Sequence, residues 1–449
     1  MNYFFKNYPD LGSCKIGIIG MGYVGLPLAV SFANQKICAK TNKNLSRFIT
    51  GYDISEKRIN ELKNGFDTTN EIDNLDLLKS KSLYFTSIEE DIYESDVFIV
   101  TVPTPIDKNN NPNLTFLVEA SKLVGRALKK RASNILPLVI YESTVYPGAT
   151  EEICIPKIEE NSQLKINIDF FCGYSPERIN PGDKKRRLED VVKVTSGSNN
   201  ESSFWINQLY ASIIKAGTHK ASSIKVAEAA KVIENTQRDL NIALINELAI
   251  IFNELNLDTN DIIDVASSKW NFQDFRPGLV GGHCIGVDPY YLTFKSKSVG
   301  YYPELVLAGR RINENMSKWI IEKLVLKLIA EGIKVKNAET LVLGFSFKEN
   351  CPDIRNTKVI DIVNNLKNFN KNICIVDPYA DIENTMCEYN LRIKNSIPEE
   401  MKFDGIIIAL AHKEFQKFDI NFWESIMNRD CVLFDVKSII PNELCPIRL

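Results

Sequence analysis

One cysteine of the sequence lies in a setting that suits a nucleophile. Residues 281–289, GGHCIGVDP, place the thiol of Cys284 among glycines too small to bury it, with an imidazole and a carboxylate nearby. A cysteine at an exposed polar position can react as a thiolate, whereas most cysteines are small, unreactive core residues. For Cys284 this segment alone leaves the two interpretations equally open.

A lysine and an asparagine stand one helical turn apart in the segment 230–247, AKVIENTQRDLNIALINE. Lys231 and Asn235 occupy positions i and i+4, so they share one face of the predicted helix. The pair could serve a reaction centre together with the thiol. The alternative is a solvated lysine beside a surface asparagine, and the spacing alone favours that alternative.

A glycine-rich turn follows the first apolar run. Gly20, Gly22 and Gly25, with Tyr23 and Val24 between them, fit the pattern GxGxxG after KIGIIG and before LPLAVSFA. The first glycine permits a tight turn, the second lets a pyrophosphate approach the backbone, and the third lets the helix pack on the strand. A glycine-rich turn without a ligand is the alternative, but the flanking strand and helix favour a dinucleotide site.

An aspartate ends the second predicted strand, in ITGYD. The carboxylate of Asp53 can accept hydrogen bonds from the ribose hydroxyls of adenosine and would repel a 2′-phosphate, which favours NAD over NADP. The distance from the glycines exceeds the usual twenty or so residues, and we assign the excess to an inserted loop at residues 39–46. The alternative is an aspartate that caps the next helix.

The elements that must position these residues alternate between short β-branched runs and amphipathic segments, as in a parallel sheet with crossover helices. The first part of the chain is predicted to have strands at residues 15–20, 48–53, 83–86, 97–102, 138–142 and 170–174, with helices at 55–63 and 115–130. Long helices are predicted at 223–256 and 303–330. A second series has predicted strands at 340–343, 373–377, 405–410 and 432–435, with a helix at 357–367.

This pattern predicts an α/β fold, in which two Rossmann-like, doubly wound parallel-sheet domains are joined by a long central helix and a helical middle domain. We expect an NAD-binding domain at residues 1–210, a helical domain with the cysteine loop at 211–325, and a second Rossmann-like domain at 326–449. The long central helix suggests a homodimer.

The composition excludes several classes of protein. The 449 residues are 44% hydrophobic and 25% charged, with a net charge of −3, so nucleic-acid or membrane-surface binding has no electrostatic support. Ten cysteines without a CxxC pair and only three histidines indicate neither a disulfide framework nor a metal site. Because we also find no targeting or membrane-spanning segment, we expect a cytoplasmic protein.

Seven motifs taken together resemble the nucleotide-sugar 6-dehydrogenase family, which includes UDP-glucose and GDP-mannose dehydrogenases. They are GMGYVGLP, VPTP, ESTVYPG, SPERINPGD, AKVIENTQRDLNIALINE, GGHCIGVDP and GFSFKENCPDIRNT, and their order matches the family over nearly the whole chain. The resemblance implies a four-electron oxidation of a UDP-sugar's primary alcohol to a carboxylate, with two NAD used in succession and no release of the aldehyde.

The resemblance also implies the roles of particular residues. The nucleophilic thiol falls on Cys284, and the groups that stabilise oxyanions fall on Lys231 and Asn235. The carboxylate that activates the hydrolytic water falls on Glu177 in SPER.

Further positions match the family's catalytic and binding residues. Thr144 and Asp288 match residues that position a water or take the alcohol proton. Cofactor contacts are expected at Gly20, Gly22, Tyr23, Val24, Gly25, Asp53, Arg58, Thr104, Thr144 and Arg355. Substrate contacts are expected at Glu177, Arg178, Lys231, Asn235, Gly281, Gly282, His283 and Lys348.

The cysteine loop departs from that of UDP-glucose dehydrogenases. Those enzymes have a lysine before the aspartate, whereas this sequence has Val287, and the stretch SKWNFQDFRPGLVGGHCIGVDPYYLT is similar to the bacterial branch that oxidises UDP-N-acetylhexosamines for capsule and O-antigen synthesis. Loss of the lysine and gain of Gly286 would make room for an acetamido group at carbon 2. UDP-glucose is the alternative substrate, and the configuration at carbon 4 stays open.

Two other classes compete with this interpretation. A Rossmann-fold subunit could keep the fold and lose the chemistry, but the matched Cys284, Lys231 and Asn235 count against it. A hydroxyacid dehydrogenase needs one hydride transfer and no thiol, so blocking Cys284 would leave such an enzyme active.

Overall fold

The computed structural model of the protein describes residues 7–69, 71–177, 187–282 and 284–449. The chain forms two compact units. The first contains the residues up to Glu234 together with Tyr290–Gly300, and the second contains Asn235–Pro289 together with Tyr301–Leu449.

The first unit is built on a six-stranded sheet with the strand order β3-β2-β1-β4-β5-β6, and every strand pair in it is parallel. This is the strand order of dinucleotide-binding domains, and it confirms the doubly wound fold predicted for this part of the chain. The strands of this unit are β1 (Lys15–Ile19), β2 (Phe48–Tyr52), β3 (Leu83–Thr86), β4 (Val97–Val100), β5 (Leu138–Tyr141), β6 (Phe171–Tyr174), β7 (Lys193–Thr195) and β8 (Thr218–Lys220).

Helices cover both faces of this sheet, which explains why its strands are apolar runs. All four residues of β4 and of β5 are buried, and burying an Ile or Val side chain contributes about 1.5–3 kcal/mol to folding. The helices are α1 (Gly25–Asn34), α2 (Glu56–Lys63), α3 (Asn74–Lys79), α4 (Thr115–Lys130), α5 (Ile155–Ser162) and α6 (Asn200–Ala211). The short parallel pair of β7 and β8 was not predicted.

Four helices follow, and the two long ones lie where the sequence predicted them to within two residues. They are α7 (Ile224–Glu254), α8 (Thr259–Ser267), α9 (Asp288–Ser298) and α10 (Glu304–Ala330). Among the described residues, no helix combines the length and apolar character needed to cross a bilayer.

The second unit contains a five-stranded sheet with the order β10-β9-β11-β12-β13, again with parallel pairs throughout. Its strands are β9 (Thr340–Leu343), β10 (Ile373–Val376), β11 (Phe403–Ile408), β12 (Met427–Asp435) and β13 (Ile447–Arg448). Its helices are α11 (Val359–Lys367), α12 (Ile382–Tyr389) and α13 (Ile420–Ile426). The predicted second Rossmann-like sheet is confirmed, although its last strand and the helices α12 and α13 were missed.

Candidate active site

The turn between β1 and α1 has the geometry of a phosphate cradle. Gly20 has a φ of 99°, in the region that favours glycine. A Cβ on Gly25 would lie 1.8 Å from the Gly20 carbonyl oxygen, whereas no described atom lies within 4 Å of a Cβ on Gly22. Among the described residues, no side chain caps the N-terminus of α1. Tyr23 and Val24 are partly exposed in this turn, so it fits a dinucleotide pyrophosphate.

Two predicted cofactor residues hold the backbone of Met21 in this turn. The Met21 N–H donates to Oδ2 of Asp53 at 2.8 Å, and Nε of Arg58 donates to the Met21 carbonyl at 2.8 Å. Arg58 also pairs with Asp67 at 2.8 Å. Ser55 is the residue that caps α2, so the alternative in which Asp53 caps that helix is wrong.

We expect Asp53→Asn to narrow the preference for NAD over NADP. The carboxylate of Asp53 directly follows the carboxyl end of β2. There it would repel a 2′-phosphate, and juxtaposed like charges cost several kcal/mol. The ratio of kcat/KM for the two cofactors should fall by about 10-fold or more, the equivalent of about 1.4 kcal/mol. An unchanged ratio would assign the discrimination to another group.

The loops that follow β4 and β5 are tied together through predicted site residues. The hydroxyl of Thr104 donates to the Thr144 carbonyl at 2.7 Å, and the hydroxyl of Tyr291 donates to the Thr104 carbonyl at 2.6 Å. The hydroxyl of Ser143 also donates to the Val102 carbonyl at 2.6 Å. Thr144 stays partly exposed at the carboxyl end of the sheet, where ligands bind in doubly wound folds.

Glu177 belongs to a buried ionic cluster at the same end of the sheet. Nζ of Lys193 donates to Glu142 at 2.6 Å and to Glu177 at 3.2 Å, and the hydroxyl of Tyr210 donates to the other oxygen of Glu142. Burial, opposed by Lys193 and reinforced by Glu177, raises the pKa of Glu142 to about 7. The sequence analysis missed Lys193 and Tyr210, although a lysine inside the apolar run VVKVT was a usable signal.

The cysteine loop joins directly to α9 and to α7 within the second unit. The N–H groups of Val287 and Asp288 donate to the Cys284 carbonyl at 3.1 and 2.8 Å. Nδ2 of Asn235 donates to Oδ2 of Asp288 at 2.6 Å, which brings together two of the predicted catalytic residues. Cys284 is partly exposed, which favours the interpretation as a reactive thiol over that as a core cysteine.

Lys231 lies one turn before Asn235 on α7, in the first unit. Lys231 is 8% exposed and Asn235 is 4% exposed. The alternative of a solvated surface pair is therefore wrong for both residues. A buried amine and a buried amide need polar partners within the protein or from a ligand.

Three buried cysteines of the chain are poor competitors for a nucleophilic role. Burial raises the pKa of Cys14 and of Cys154 to about 12, and it raises the pKa of Cys172 well above its usual value. A thiol in such surroundings does not ionise near neutral pH.

The glycines of the cysteine loop allow a close approach to the loop after β9. A Cβ on Gly281 would lie 2.6 Å from the Asn356 carbonyl oxygen, and one on Gly282 would lie 2.8 Å from the Phe347 ring. Gly286 differs, because a Cβ there would meet its nearest neighbour, the Val280 carbonyl oxygen, at an ordinary 3.5 Å. Packing among the described residues therefore explains Gly281 and Gly282 but not Gly286.

The loop after β9 carries the remaining predicted contacts. Nζ of Lys348 lies 5.2 Å from the centre of the Phe347 ring. The guanidinium of Arg355 pairs with Asp353 at 2.7 Å, and it is partly exposed. Arg178 and His283, both predicted to contact substrate, lie outside the described residues.

Asp377, at the end of β10, holds the first part of this loop. Its Oδ2 accepts the N–H groups of Phe345 and Ser346 at 2.6 and 2.8 Å, and it contacts Nε2 of His412 at 3.1 Å. Nδ1 of His412 accepts the Asn350 N–H at 2.9 Å, which assigns the ring proton to Nε2. The sequence analysis did not find this arrangement, because its members are far apart in the chain.

We expect Asp377→Asn to destabilise the protein by about 1–3 kcal/mol, because the amide would set a donor against buried N–H donors. Burial opposes ionisation of Asp377, but His412 and the backbone donors hold its pKa well below the usual range. Its contribution is therefore complete above the ordinary carboxyl pKa and is lost as the pH falls towards the lowered value.

Urea unfolding at several pH values measures this effect. The difference between Asp377→Asn and the parent should stay constant between about pH 5 and 8. Asp419→Asn is the matched control, because Asp419 caps α13 and asparagine caps helices equally well. A difference that vanishes within this range would contradict an ionised Asp377.

The described residues contain no group of three or more His, Cys, Asp or Glu side chains that could hold a metal ion.

Comparison with known proteins places these features in one family. Three models of the UDP-glucose/GDP-mannose dehydrogenase family match in order, with the NAD binding domain at residues 14–214, the central domain at 225–315 and the UDP binding domain at 341–442. The observed Rossmann strand order and glycine turn fall within the first match.

Individual relatives agree with this assignment. The chain is 51% identical over 435 residues to a UDP-N-acetyl-D-glucosamine 6-dehydrogenase of Pseudomonas aeruginosa, covering 97% of this chain and 99% of the relative. It is 48% identical to protein CapL of Staphylococcus aureus, covering 96% and 97%. A solved UDP-D-ManNAc dehydrogenase from Pyrococcus horikoshii has a TM-score of 0.82 at 29% identity, covering 95% and 96%. The chain therefore belongs to the UDP-glucose/GDP-mannose dehydrogenase family, whose members are NAD-binding nucleotide-sugar dehydrogenases.

Proposed function

We propose that this protein oxidises carbon 6 of a UDP-N-acetylhexosamine from primary alcohol to carboxylate. UDP-N-acetylglucosamine is the favoured substrate because of the 51% identity to the Pseudomonas aeruginosa relative. The observation that carries the chemistry is the constellation of a partly exposed Cys284 with the Asn235–Asp288 hydrogen bond at 2.6 Å. Following the resemblance, we place the uronic acid product in the synthesis of surface polysaccharide.

The glycine turn and Asp53 are proposed to hold NAD. The open face at Gly22 and the N-terminus of α1 suit a pyrophosphate, while each carboxylate oxygen of Asp53 keeps lone-pair capacity for ribose hydroxyls. Arg58 holds the turn through the hydrogen bond from its Nε to the Met21 carbonyl. When bound, NAD would supply the hydride acceptor, with one NAD used for each of the two hydrides that the oxidation releases.

The first oxidation requires removal of the alcohol proton. We assign this step to Asp288, directly or through a water, and Asn235 orients the carboxylate through the hydrogen bond to Oδ2. Lys231 and Asn235 stabilise the negative charge that develops on the substrate oxygen. A single positioned donor of this kind typically contributes about 3 kcal/mol to the transition state.

Cys284 is proposed to retain the aldehyde. Its thiolate adds to the carbonyl carbon to form a thiohemiacetal, and loss of a second hydride from that carbon gives a thioester. The aldehyde therefore stays covalently attached until it is an acyl group, which accounts for an oxidation without a released intermediate.

Glu177 is proposed to activate the water that hydrolyses the thioester. It takes one proton from water as the oxygen attacks the acyl carbon, the C–S bond breaks, and the thiolate of Cys284 leaves. Over the whole reaction one alcohol, one water and two NAD give one carboxylic acid, two NADH and two protons. Thr144 is proposed to position a water for these proton transfers.

The preference for an acetamido sugar is proposed to depend on Val287 and Gly286. Packing among the described residues does not require a glycine at position 286, because a Cβ there would lie 3.5 Å from its nearest described neighbour, an ordinary contact distance. Space that the fold does not need is consistent with room kept for the substituent at carbon 2.

We expect Gly286→Ala to lower kcat/KM for UDP-N-acetylglucosamine by about 10-fold or more, the usual effect of one extra methyl group in a tight pocket. The value for UDP-glucose should change little, because its carbon 2 carries a smaller hydroxyl. Gly300→Ala is unsuitable as a control because its φ is 84°. Ser298→Ala, at the end of α9, is the matched small change outside the loop. Equal losses for both sugars would reject this account of specificity.

The substrate is tested by following NADH formation with UDP-N-acetylglucosamine, UDP-N-acetylgalactosamine, UDP-glucose and GDP-mannose. We expect the highest kcat/KM with the first and two NADH per sugar. A higher kcat/KM for UDP-N-acetylgalactosamine would make that epimer the preferred substrate. A higher kcat/KM for UDP-glucose would establish the alternative substrate. One NADH per sugar would reject the four-electron reaction.

We further propose a homodimer and the three-domain division at residues 1–210, 211–325 and 326–449. Exposed apolar side chains on α7 and α10, including Leu244, Ile251, Leu326 and Ile329, support burial against another copy. Light scattering should give about twice the chain mass of 50.9 kDa. A monomer would reject the dimer.

We assign the reaction to the cytoplasm, and the ten free cysteines are consistent with a reducing compartment.

A further inference from the structure

A fully buried lysine links two carboxylates at the carboxyl end of the first sheet. Lys193 is 1% exposed, Glu142 is 1% exposed and Glu177 is 7% exposed. The single ammonium group lies 2.6 Å from Glu142 and 3.2 Å from Glu177. Its position therefore couples the proposed hydrolytic base to a carboxylate with no assigned role.

The side of the cluster away from Glu177 is held by rigid elements. Glu142 directly follows β5, and its N–H donates to the Val100 carbonyl at 2.9 Å. Its carboxylate also accepts the hydroxyl of Tyr210 on α6, and the Lys193 ammonium lies 5.4 Å from the centre of the Tyr210 ring. Contacts with Glu142 and with the Tyr210 ring therefore hold the ammonium in addition to its contact with Glu177.

The backbone that carries Glu177 is joined to the strand that carries Lys193. The hydroxyl of Ser175 donates to the Val194 carbonyl at 2.7 Å, and the hydroxyl of Ser196 donates to the Tyr174 carbonyl at 2.7 Å. These two hydrogen bonds hold the end of β6 against β7, so the backbone just before Glu177 is fixed relative to the strand that carries Lys193.

Stability does not explain such a cluster. Removing an ammonium and two carboxylates from water carries a desolvation penalty that a buried ion pair often fails to recover. Burial lowers the pKa of Lys193, but the two carboxylates outweigh that effect and raise it, so the ammonium stays charged. A charge kept in the core at this cost points to a role in chemistry.

We propose that Lys193, anchored by Glu142, is the positioning residue that orients the carboxylate of Glu177 for hydrolysis of the acyl-enzyme. This inference rests on the proposed function, since it requires Glu177 to act on a Cys284 thioester. Lys193 itself touches neither substrate nor cofactor in this role. It fixes the direction from which Glu177 approaches the water and favours its ionised form.

The test uses the full-length double variant Lys193→Met/Glu142→Gln. It removes one positive and one negative charge together, so the net charge of the cluster does not change, and Glu177 itself is not substituted. The matched control is Lys215→Met/Glu189→Gln, which removes a surface pair of the same unit with a 2.9 Å contact. Both proteins are mixed with NAD and UDP-N-acetylglucosamine, and NADH and the mass of the intact protein are followed over time.

We expect the double variant to form NADH at the parent rate in its first turnover and then to hydrolyse the thioester about 10²-fold more slowly, as a misplaced catalytic group does. An acyl adduct should accumulate on Cys284. The acidic limb of the pH profile for hydrolysis should move to higher pH, because the base has lost its ammonium partner. The control should behave as the parent.

Two results would overturn the inference. One is hydrolysis at the parent rate in a folded double variant, and the other is an equal loss of hydride transfer and hydrolysis, which indicates a purely structural cluster. If the double variant does not fold, Glu142→Gln alone preserves shape and the lysine, and it is judged by the same two criteria.

Glu177→Gln, measured alongside, separates this inference from the proposed function. An adduct in Glu177→Gln but none in the double variant rejects the role of Lys193 alone. No adduct in Glu177→Gln removes Glu177 from the proposed mechanism and overturns the positioning role with it.

Discussion

Cys284→Ser is expected to reduce the NADH formed per sugar consumed from two to at most one. A serine hydroxyl is a far poorer nucleophile than a thiolate, and its ester is a poorer acyl donor. The first oxidation should persist, because removal of the alcohol proton depends on Asp288 and Lys231. A slow formation of NADH with bound or trapped aldehyde is therefore the expected result.

The matched control for this variant is Cys387→Ser, the same substitution at an exposed cysteine of α12. It should leave two NADH per sugar. If Cys284→Ser also yields two at near the parent rate, oxidation proceeds through the hydrated aldehyde and the thiol is structural. The same outcome would revive a role for Cys284 in packing, despite its partial exposure.

Sequence pattern was sufficient for several elements with a clear run or period of apolar residues. The predicted strand at residues 83–86 and the predicted helix at residues 115–130 have the observed bounds. A parallel strand covered by helices must be apolar throughout, so its ends are marked by the first polar residues. The predicted strand at 97–102 ends earlier, at Val100, because the chain turns there towards the VPTP loop.

Short elements held by local contacts could not be predicted in the same way. β7 and β8 have three residues each, which is too few for a hydrophobic period to be recognised. α12 and α13 each begin after an aspartate that caps the helix, at Asp381 and Asp419. That signal was present in the sequence, although neither helix was predicted from it.

The residues of the candidate site also differ in how far they could be predicted from the sequence. Motif residues such as Gly20 and Cys284 are recognisable because their chemistry is local in the sequence. The partners of Glu177 and the loop contacts of Asp377 are not, because Lys193 lies 16 residues from Glu177 and His412 lies 35 residues from Asp377. Such contacts exist only after folding brings these segments together, so their spacing in the sequence does not reveal them.

Glu177→Gln is expected to slow hydrolysis of the thioester by about 10²–10⁴-fold, the usual contribution of a general base. The amide preserves the approximate shape of the side chain but cannot take a proton from water. Neither hydride transfer requires this base, so the first two NADH per enzyme should form before turnover stalls. Intact mass measured after that burst should show an acyl adduct on Cys284.

Comparison with two variants makes this result specific. Glu189→Gln, at a surface carboxylate of the same unit, should turn over as the parent does. Glu177→Gln/Cys284→Ser should carry no adduct, which locates the acyl group on the thiol. If Glu177→Gln shows normal steady-state turnover and no adduct, another group activates the water. Glu142 would then be the nearest alternative, because it shares the Lys193 ammonium and its pKa is raised to about 7. A base with that pKa would leave the rate dependent on pH near neutrality, whereas a base that is already ionised would not.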